Sequence, residues 1–272
     1  MKKLFLTLVC FINIANAEII VGTSGDFLGD YLARSLMPNS VVVSKPGGDG
    51  IVLYSALKNK QIDFAVSSTA IFMVAPNANP KYLINPLEEF DTATVLAKTP
   101  MILTSAKLKS ITEVTHAKRP IFVGGFGEIS TCKVISMLLA EKFNVEIVYI
   151  PYKTSSQLAV DITSGVVDTS CQLADVMDTY VKTGKWNALA NLGTEDIGLP
   201  TIQNFPKFDV NFYLLSRHND PRIAELMVEV SKNKEAITNK YYKVILPSKD
   251  QTNTLIKTDH AFWAQVVPKI KD

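Results

Sequence analysis

The strongest constraint on the fold is an alternation of strands and helices near the start of the chain. Short apolar runs alternate with amphipathic helical patterns, in the order 19–22, 27–37, 41–43, 51–58 and 64–67. Two parallel strands need a crossover long enough to hold a helix, so this βαβαβ order favours a parallel sheet covered by helices. We therefore expect an α/β fold.

The same order returns about 100 residues later. Strands are predicted at 121–123, 145–150 and 166–171, and helices at 130–143, 155–163 and 173–183. Two such halves indicate two α/β lobes joined by extended segments at 101–104 and 212–215. Helices at 222–236 and 252–267 would complete the first lobe, and the proline-containing stretches 74–90 and 196–211 are predicted as loops. The predicted domains are 18–104 plus 216–272 for lobe 1, and 105–215 for lobe 2.

The first residues indicate export. Lys2 and Lys3 precede an apolar run of eleven residues at 4–14, and Ala15, Asn16 and Ala17 form the small-residue pattern that signal peptidase recognises. A membrane anchor needs roughly 20 apolar residues. We predict a signal peptide at 1–17, cleavage after Ala17 and a periplasmic protein.

Charge and catalytic motifs exclude several functions. The chain has 28 Lys plus Arg and 26 Asp plus Glu, and loss of the leader removes two lysines, so no basic surface for nucleic acid is expected. The sequence lacks a nucleophile elbow and zinc-ligand spacing, and its histidines, His116, His218 and His260, lie in no recognisable motif. We predict no catalytic residues, no metal and no cofactor, although an enzyme of an unfamiliar motif stays open.

Two glycine-containing turns precede predicted helices. Gly125, Gly127 and Ser130 imitate a dinucleotide fingerprint, and residues 23–25 form a similar turn. A glycine turn that opens a helix exposes backbone N–H groups at the positive end of the helix dipole, where carboxylates and phosphates bind. Hydroxyl groups at 67–69 follow a neighbouring strand. These loops are expected to converge on one cleft that binds a small anion; alternatively, the glycines only make tight turns.

Several motifs, taken in order, resemble one family. They are VSKPGGDG at 43–50, IPYKTSSQLAVD at 150–161, GVVD at 165–168, GLPT at 198–201 and FWAQVV at 262–267. Together with Asp30, Ala33 and Arg34, they resemble the Bug family, the periplasmic binding proteins of tripartite tricarboxylate transporters. The resemblance runs over nearly all of the chain that follows the leader.

The resemblance implies a two-lobe type II periplasmic binding protein fold with a hinge and an interlobe cleft. It also implies a small organic acid as ligand and the permease subunits of a membrane transporter as partners; we expect a monomer. A sensor subunit built on the same lobes stays open, since fold does not fix function. The predicted ligand-binding residues are Thr23, Ser24, Gly25, Asp26, Phe27, Ser67, Ser68, Gly125, Gly127, Ser130, Tyr152, Lys153 and Cys171.

The chain departs from the family at Asp26, Phe27, Asp49, Thr154 and Glu128, where glycines or small residues are usual. Like charges disfavour one another, so acids near the cleft argue against a simple dianion. One hypothesis is that Asp26 or Glu128 binds a hydroxyl or ammonium group of the ligand. Alternatively, Phe27 stacks on an aromatic acid, or the acids face solvent or stabilise helix N-termini.

The two cysteines outside the leader are Cys132 and Cys171. An even number in an oxidising compartment allows a disulfide, but a separation of 39 positions does not define its geometry. Either a disulfide or two small buried side chains would fit the sequence.

Overall fold

A computed structural model describes residues 18–79, 81–237 and 241–267 of the chain. The predicted signal peptide and its cleavage site precede residue 18 and lie outside the described residues. Within those ranges, no helix has the length and apolar character needed to cross a membrane.

The strands form the frame of the molecule. Their bounds are β1 (Ile20–Thr23), β2 (Val41–Ser44), β3 (Phe64–Ser68), β4 (Asp91–Ser105), β5 (Ile121–Phe126), β6 (Ile147–Tyr152), β7 (Thr169–Leu173), β8 (Asn187–Asn191), β9 (Asp209–Ser216) and β10 (Lys243–Val244).

Helices pack against the strands. Their bounds are α1 (Phe27–Leu36), α2 (Ile51–Lys58), α3 (Ala75–Ala78), α4 (Pro86–Glu89), α5 (Ile111–Thr115), α6 (Thr131–Phe143), α7 (Ser155–Ser164), α8 (Ile223–Ile237) and α9 (Lys249–Val266). A 3₁₀ turn at Gly48–Gly50 and π-helical turns at Ala70–Val74 and Met177–Val181 complete the regular structure.

The described strands form a sheet with two parallel halves. Its order is β2-β1-β3-β9-β4-β7-β5-β6, and β8 and β10 also pair with β4. In the first half β1 is parallel to β2 and β3, and in the second half β5 is parallel to β6 and β7. Antiparallel strands β9 and β4 join the halves. The predicted α/β class is confirmed.

Amphipathic helices pack on these strands. Leu28, Leu32 and Leu36 of α1 recur at a spacing of four residues and are all buried, which places them on one face of the helix. Burying a leucine contributes roughly 1.5–3 kcal/mol relative to leaving it exposed. The face made by these three residues therefore fixes α1, and with it the loop that precedes α1.

Some predicted elements differ from the structure. The predicted strand at 121–123 continues to Phe126, so Gly124 and Gly125 belong to β5 rather than to a turn. The predicted helix at 173–183 is wrong at its start, because Leu173 ends β7 and only a short helical turn follows. The stretch 74–90, predicted as a loop, contains α3 and α4.

Candidate functional site

The carboxyl ends of the parallel strands face each other across the middle of β4. Ser68 ends β3 and pairs with Phe212 of β9, which in turn pairs with Ala97 of β4. Leu173 ends β7, which runs in the opposite direction, and pairs with Met101. Ala97 and Met101 are four residues apart on β4, so the ends of β3 and β7 are separated along β4 by about 13 Å, at a rise of roughly 3.3 Å per residue. Loops from both halves therefore face each other across this gap at the strand ends, where open α/β sheets bind ligands.

In the loop after β1, the side chain of Asp26 accepts hydrogen bonds from neighbouring residues of the chain. Asp26 caps α1: its Oδ1 accepts a hydrogen bond from the N–H of Gly29 at 2.7 Å, and its Oδ2 accepts one from Ser24 Oγ at 2.6 Å. Burial raises the pKa of Asp26, these two bonds lower it, and Asp30 raises it further, which leaves it above its ordinary value. Phe27, the first residue of α1, is 76% exposed.

The hydroxyl groups at the ends of β1 and β3 are mostly used within the protein. Thr23 is buried, and its Oγ1 donates to Oδ1 of Asp30. Ser67 is buried and shares a hydrogen bond of 2.7 Å with the hydroxyl of Tyr54. Ser68 is half-buried at the end of its strand. These contacts stiffen the first half of the sheet at the gap.

In the second half, a tyrosine supports the loop after β5. The hydroxyl of Tyr149 donates to the carbonyl of Gly127 at 2.7 Å and lies 2.7 Å from Ser130 Oγ. Only glycine fits at 125, because a β-carbon there would lie 2.5 Å from the Tyr149 hydroxyl. Ser130 caps α6 by accepting from the N–H of Lys133 at 3.2 Å. Burial is the main cause that raises the pKa of Tyr149 to about 12, so the phenol stays neutral.

The first turn of α6 has unused hydrogen-bond donors. Within the described part of the chain, the N–H groups of residues 128–132 have no hydrogen-bond acceptor. Thr131 is 4% exposed, and its Oγ1 has no hydrogen-bond partner there either. Buried polar groups are nearly always hydrogen-bonded. These donors, at the positive end of the α6 dipole, form a site suited to an anion.

Carboxylates of both halves lie in the loops that meet at the gap. A β-carbon at Gly127 would lie 3.8 Å from Oδ1 of Asp49, which brings the turn before α2 against the loop before α6. Burial raises the pKa of Asp49, and the charge of Glu128 raises it further. Asp175 follows β7; burial is the main cause that raises its pKa to about 6, backbone N–H groups act in the opposite sense, and the charge of Asp26 adds to the rise.

Comparison with known proteins identifies the family. Residues 28–213, more than half of the chain, match the family model described as "Tripartite tricarboxylate transporter family receptor". The chain belongs to this receptor family. Receptors of the family are periplasmic substrate-binding proteins rather than enzymes. The resemblance predicted from the motifs is thereby confirmed.

Relatives of this receptor cover nearly its whole length. Protein BugT of Bordetella pertussis is 23% identical over 282 residues, covering 90% of this chain and 85% of that protein. Rpa4515 of R. palustris, solved with adipate, superposes with a TM-score of 0.83 at 17% identity and covers 94% of this chain and 98% of its own. MatC of Rhodopseudomonas palustris, solved with bound malate, gives 0.77 at 16% identity, with coverage of 93% and 99%. The predicted two-lobe periplasmic binding protein fold is confirmed.

Three further predicted site residues lie on β6, just after β6 and on β7. The hydroxyl of Tyr152 donates to Asp161 Oδ2 at 2.7 Å, and its ring packs in a small core of the second half. Lys153 is exposed just after β6. Cys171 is bonded to Cys132 in a disulfide whose Cα atoms are 5.3 Å apart. The disulfide joins the first turn of α6 to β7.

The residues around the gap thus fall into two chemical groups. Backbone N–H groups and the Thr131 hydroxyl provide donors on the α6 side, and Asp26, Asp49, Glu128 and Asp175 provide negative charge around the gap. In the ranges that the structure describes, no group of three or more His, Cys, Asp or Glu residues could hold a metal ion. Sequence reasoning missed Thr131 and Asp175; the position of Asp175 soon after a predicted strand is the signal that could have found it.

Proposed function

We propose that this receptor captures a small ligand that contains a carboxylate, such as a carboxylic, hydroxy, amino or aromatic acid. The lobes close over the ligand, which is then delivered to the membrane permease subunits of a tripartite tricarboxylate transporter. The receptor acts in the periplasm as a monomer, after removal of a signal peptide that ends at Ala17. It binds reversibly and leaves the ligand chemically unchanged.

The observation that supports this function best is the set of unused donors at the start of α6. A carboxylate placed there would accept hydrogen bonds from several N–H groups and from the Thr131 hydroxyl, and the helix dipole would stabilise its charge. Neutral donors hold an anion without burying an unpaired cation. Two structural relatives hold the carboxylates adipate and malate, which fits the same chemistry.

Lobe closure follows from the way the chain crosses the middle of the sheet. We propose that residues 18–104 and 216–272 form lobe 1 and that 105–215 form lobe 2, so that the crossings fall in β4 and β9. Two strands that run from one lobe to the other allow a hinge motion that opens and closes the gap. The loops after β1 and β5 then meet the ligand from opposite sides.

Thermal unfolding tests this function. Residues 18–272 are unfolded and refolded to remove any bound compound, then melted with carboxylic, hydroxy, amino and aromatic acids. A ligand that binds only the folded state stabilises it by about 2.7 kcal/mol at a hundredfold excess over Kd. We expect a clear rise in melting temperature with one chemical class, and mass spectrometry should recover the compound intact.

A matched pair of variants locates the binding. Thr131→Val removes one hydrogen bond to a charged group, which is worth about 1.5–3 kcal/mol, so the affinity should fall at least tenfold. Thr179→Val, at an exposed position of the same half, should leave affinity unchanged. A panel without any shift, equal effects of the two variants, or recovery of a chemically altered compound would contradict the proposed function.

A further inference from the structure

The loop before α6 is anchored to β6 through both backbone polar groups of Gly127. Its N–H donates to the carbonyl of Tyr152 at 3.0 Å, and its carbonyl accepts from the hydroxyl of Tyr149 at 2.7 Å. Both tyrosines belong to β6. Gly127 has a φ of 82°, a left-handed conformation that glycine adopts without strain. Two contacts with one strand therefore set the path of the loop toward α6.

The two hydroxyl groups beside this loop use both of their protons within the protein. A carbonyl oxygen can only accept, so the proton of Tyr149 lies in the bond to Gly127. In the 2.7 Å contact between Ser130 Oγ and Tyr149 Oη, Ser130 is therefore the donor. Ser130 Oγ also accepts from the N–H of Lys133 at 3.2 Å. Burial is the main cause that raises the pKa of Tyr149 to about 12, so the phenol keeps the proton that it donates.

A different set of donors stays available. The N–H groups of residues 128–132 have no acceptor in the described part of the chain, and Thr131 Oγ1 is buried without a partner there. Successive backbone N–H groups in a turn form a concave site for an anion. The carbonyl oxygen of Gly127, which has a partial negative charge, is held by the hydroxyl of Tyr149. The shape of this donor set therefore depends on a hydroxyl that does not belong to it.

We propose that Tyr149 is a positioning residue for carboxylate binding, which holds the loop through Gly127 and Ser130 so that the N–H groups of 128–132 and the Thr131 hydroxyl meet the carboxylate. Neither the phenol nor the hydroxyl of Ser130 has a proton left for the ligand. Ser130, a predicted ligand-binding residue, then acts through the loop as well. The inference rests on the proposed function and separates the groups that touch the ligand from the groups that place them.

Calorimetric titration of refolded, ligand-free protein with adipate, lactate, L-alanine and 3-phenylpropanoate tests the role of Tyr149. Tyr149→Phe keeps the ring and removes the hydroxyl, and it should weaken each acid that binds the wild type by about fivefold or more, the factor that corresponds to one hydrogen bond of average net strength. Tyr180→Phe is the matched control in the same half, because its ring stacks on Trp186 outside the loop. It should leave these affinities unchanged.

Two further readouts separate positioning from a merely structural role. In NMR spectra of the ligand-free protein, the backbone N–H signals of 128–132 should shift in Tyr149→Phe and stay in place in Tyr180→Phe. Ser130→Ala should weaken the same acids, and Ser130→Thr, which keeps a capping hydroxyl, should restore binding. Because both hydroxyls act through one chain of hydrogen bonds, the double variant Tyr149→Phe, Ser130→Ala should lose no more affinity than the weaker-binding single variant.

Three results would overturn the inference while an acid still binds the wild type and the proposed function stands. They are wild-type affinity in Tyr149→Phe, an equal loss in Tyr180→Phe, and additive losses in the double variant, which would mean that Ser130 contacts the acid by itself. Binding of none of the four acids, nor of any other acid of the thermal-unfolding panel, to the wild type would contradict the proposed function and the inference together. Circular dichroism checks that each variant folds.

Discussion

Reduction of the Cys132–Cys171 disulfide should lower the free energy of unfolding by about 4 kcal/mol. The bond closes a loop with a sequence separation of 39, and the chain-entropy model gives this magnitude for a loop of that length. Both cysteines are buried, so the bond is protected from solvent in the folded state. The loss would be a large part of the 5–15 kcal/mol that is typical of a domain.

The bond also continues a short strand pairing. β5 and β7 pair over two residue pairs, Val123 with Thr169 and Gly124 with Ser170. Beyond them the disulfide holds the first turn of α6 against β7, four positions before Asp175. Reduction should therefore loosen the ligand site as well as destabilise the fold, and ligand affinity should fall.

Urea denaturation of oxidised and reduced protein measures the effect. With an m-value of about 2 kcal/mol/M, the midpoint should move by about 2 M. Alkylation of the unreduced protein followed by mass spectrometry should label neither cysteine, and a Cys132→Ala, Cys171→Ala double variant should no longer respond to reductant. Two alkylated thiols in the unreduced protein, or superimposable urea curves, would refute the reasoning.

Two further predictions concern an ion pair and a glycine. Arg119→Ala should cost about 1 kcal/mol at pH 7, a modest value because the guanidinium is about half exposed and screened by solvent. Although burial raises the pKa of Asp168, the hydrogen bonds from Arg119 at 2.8 and 2.7 Å and from the N–H of Phe122 outweigh it and hold the pKa below 3.8. The stability that this pair contributes is present above pH 3.8 and is lost as the pH falls through the lowered value, so urea curves of variant and wild type should converge in acid; a constant difference would contradict the assignment. Gly125→Ala should destabilise the protein by about 1–3 kcal/mol, because the new β-carbon would overlap the ring and hydroxyl of Tyr149. An unchanged melting temperature would show that the Tyr149 contact is not tight.

The fold was predictable where local pattern determines structure. The predicted helix at 51–58 has the same bounds as α2, and the one at 27–37 differs from α1 by a single residue. The misassigned glycines of β5 have a tertiary cause: side chains at Gly124 and Gly125 would collide with Leu158 and Tyr149. Such close backbone approach favours glycine inside a strand, and no local pattern distinguishes it from a turn.

The strands that join the halves were only partly predictable. β4 begins at Asp91, ten residues before the predicted extended segment, and β8 was not predicted at all. β4 pairs with β7, β8 and β9, which are all distant from β4 in sequence. Strand formation that depends on such non-local pairs leaves a weak local signal, since β-propensity largely reflects the packing context.

The candidate site was predictable in part. Helix capping depends on neighbouring residues in the sequence, whereas the way in which loops of the two halves face each other does not. The turn at Gly127 and the start of a helix at Ser130 could be predicted from local pattern: Gly127 has a positive φ in the loop, and Ser130 caps α6. The charge of Asp26, 149 positions earlier, contributes to raising the pKa of Asp175, because β1 and β7 end at the same gap. That relation depends on the register of β4 with β7 and β9, which sequence spacing does not contain.

Of the sequence-based interpretations of Asp26, the structure confirms that it stabilises a helix N-terminus. Its carboxylate caps α1, with one oxygen bonded to the N–H of Gly29 and the other to Ser24. Each carboxylate oxygen has a further lone pair available for an ammonium donor. Capping of α1 therefore does not exhaust the acceptor capacity of Asp26.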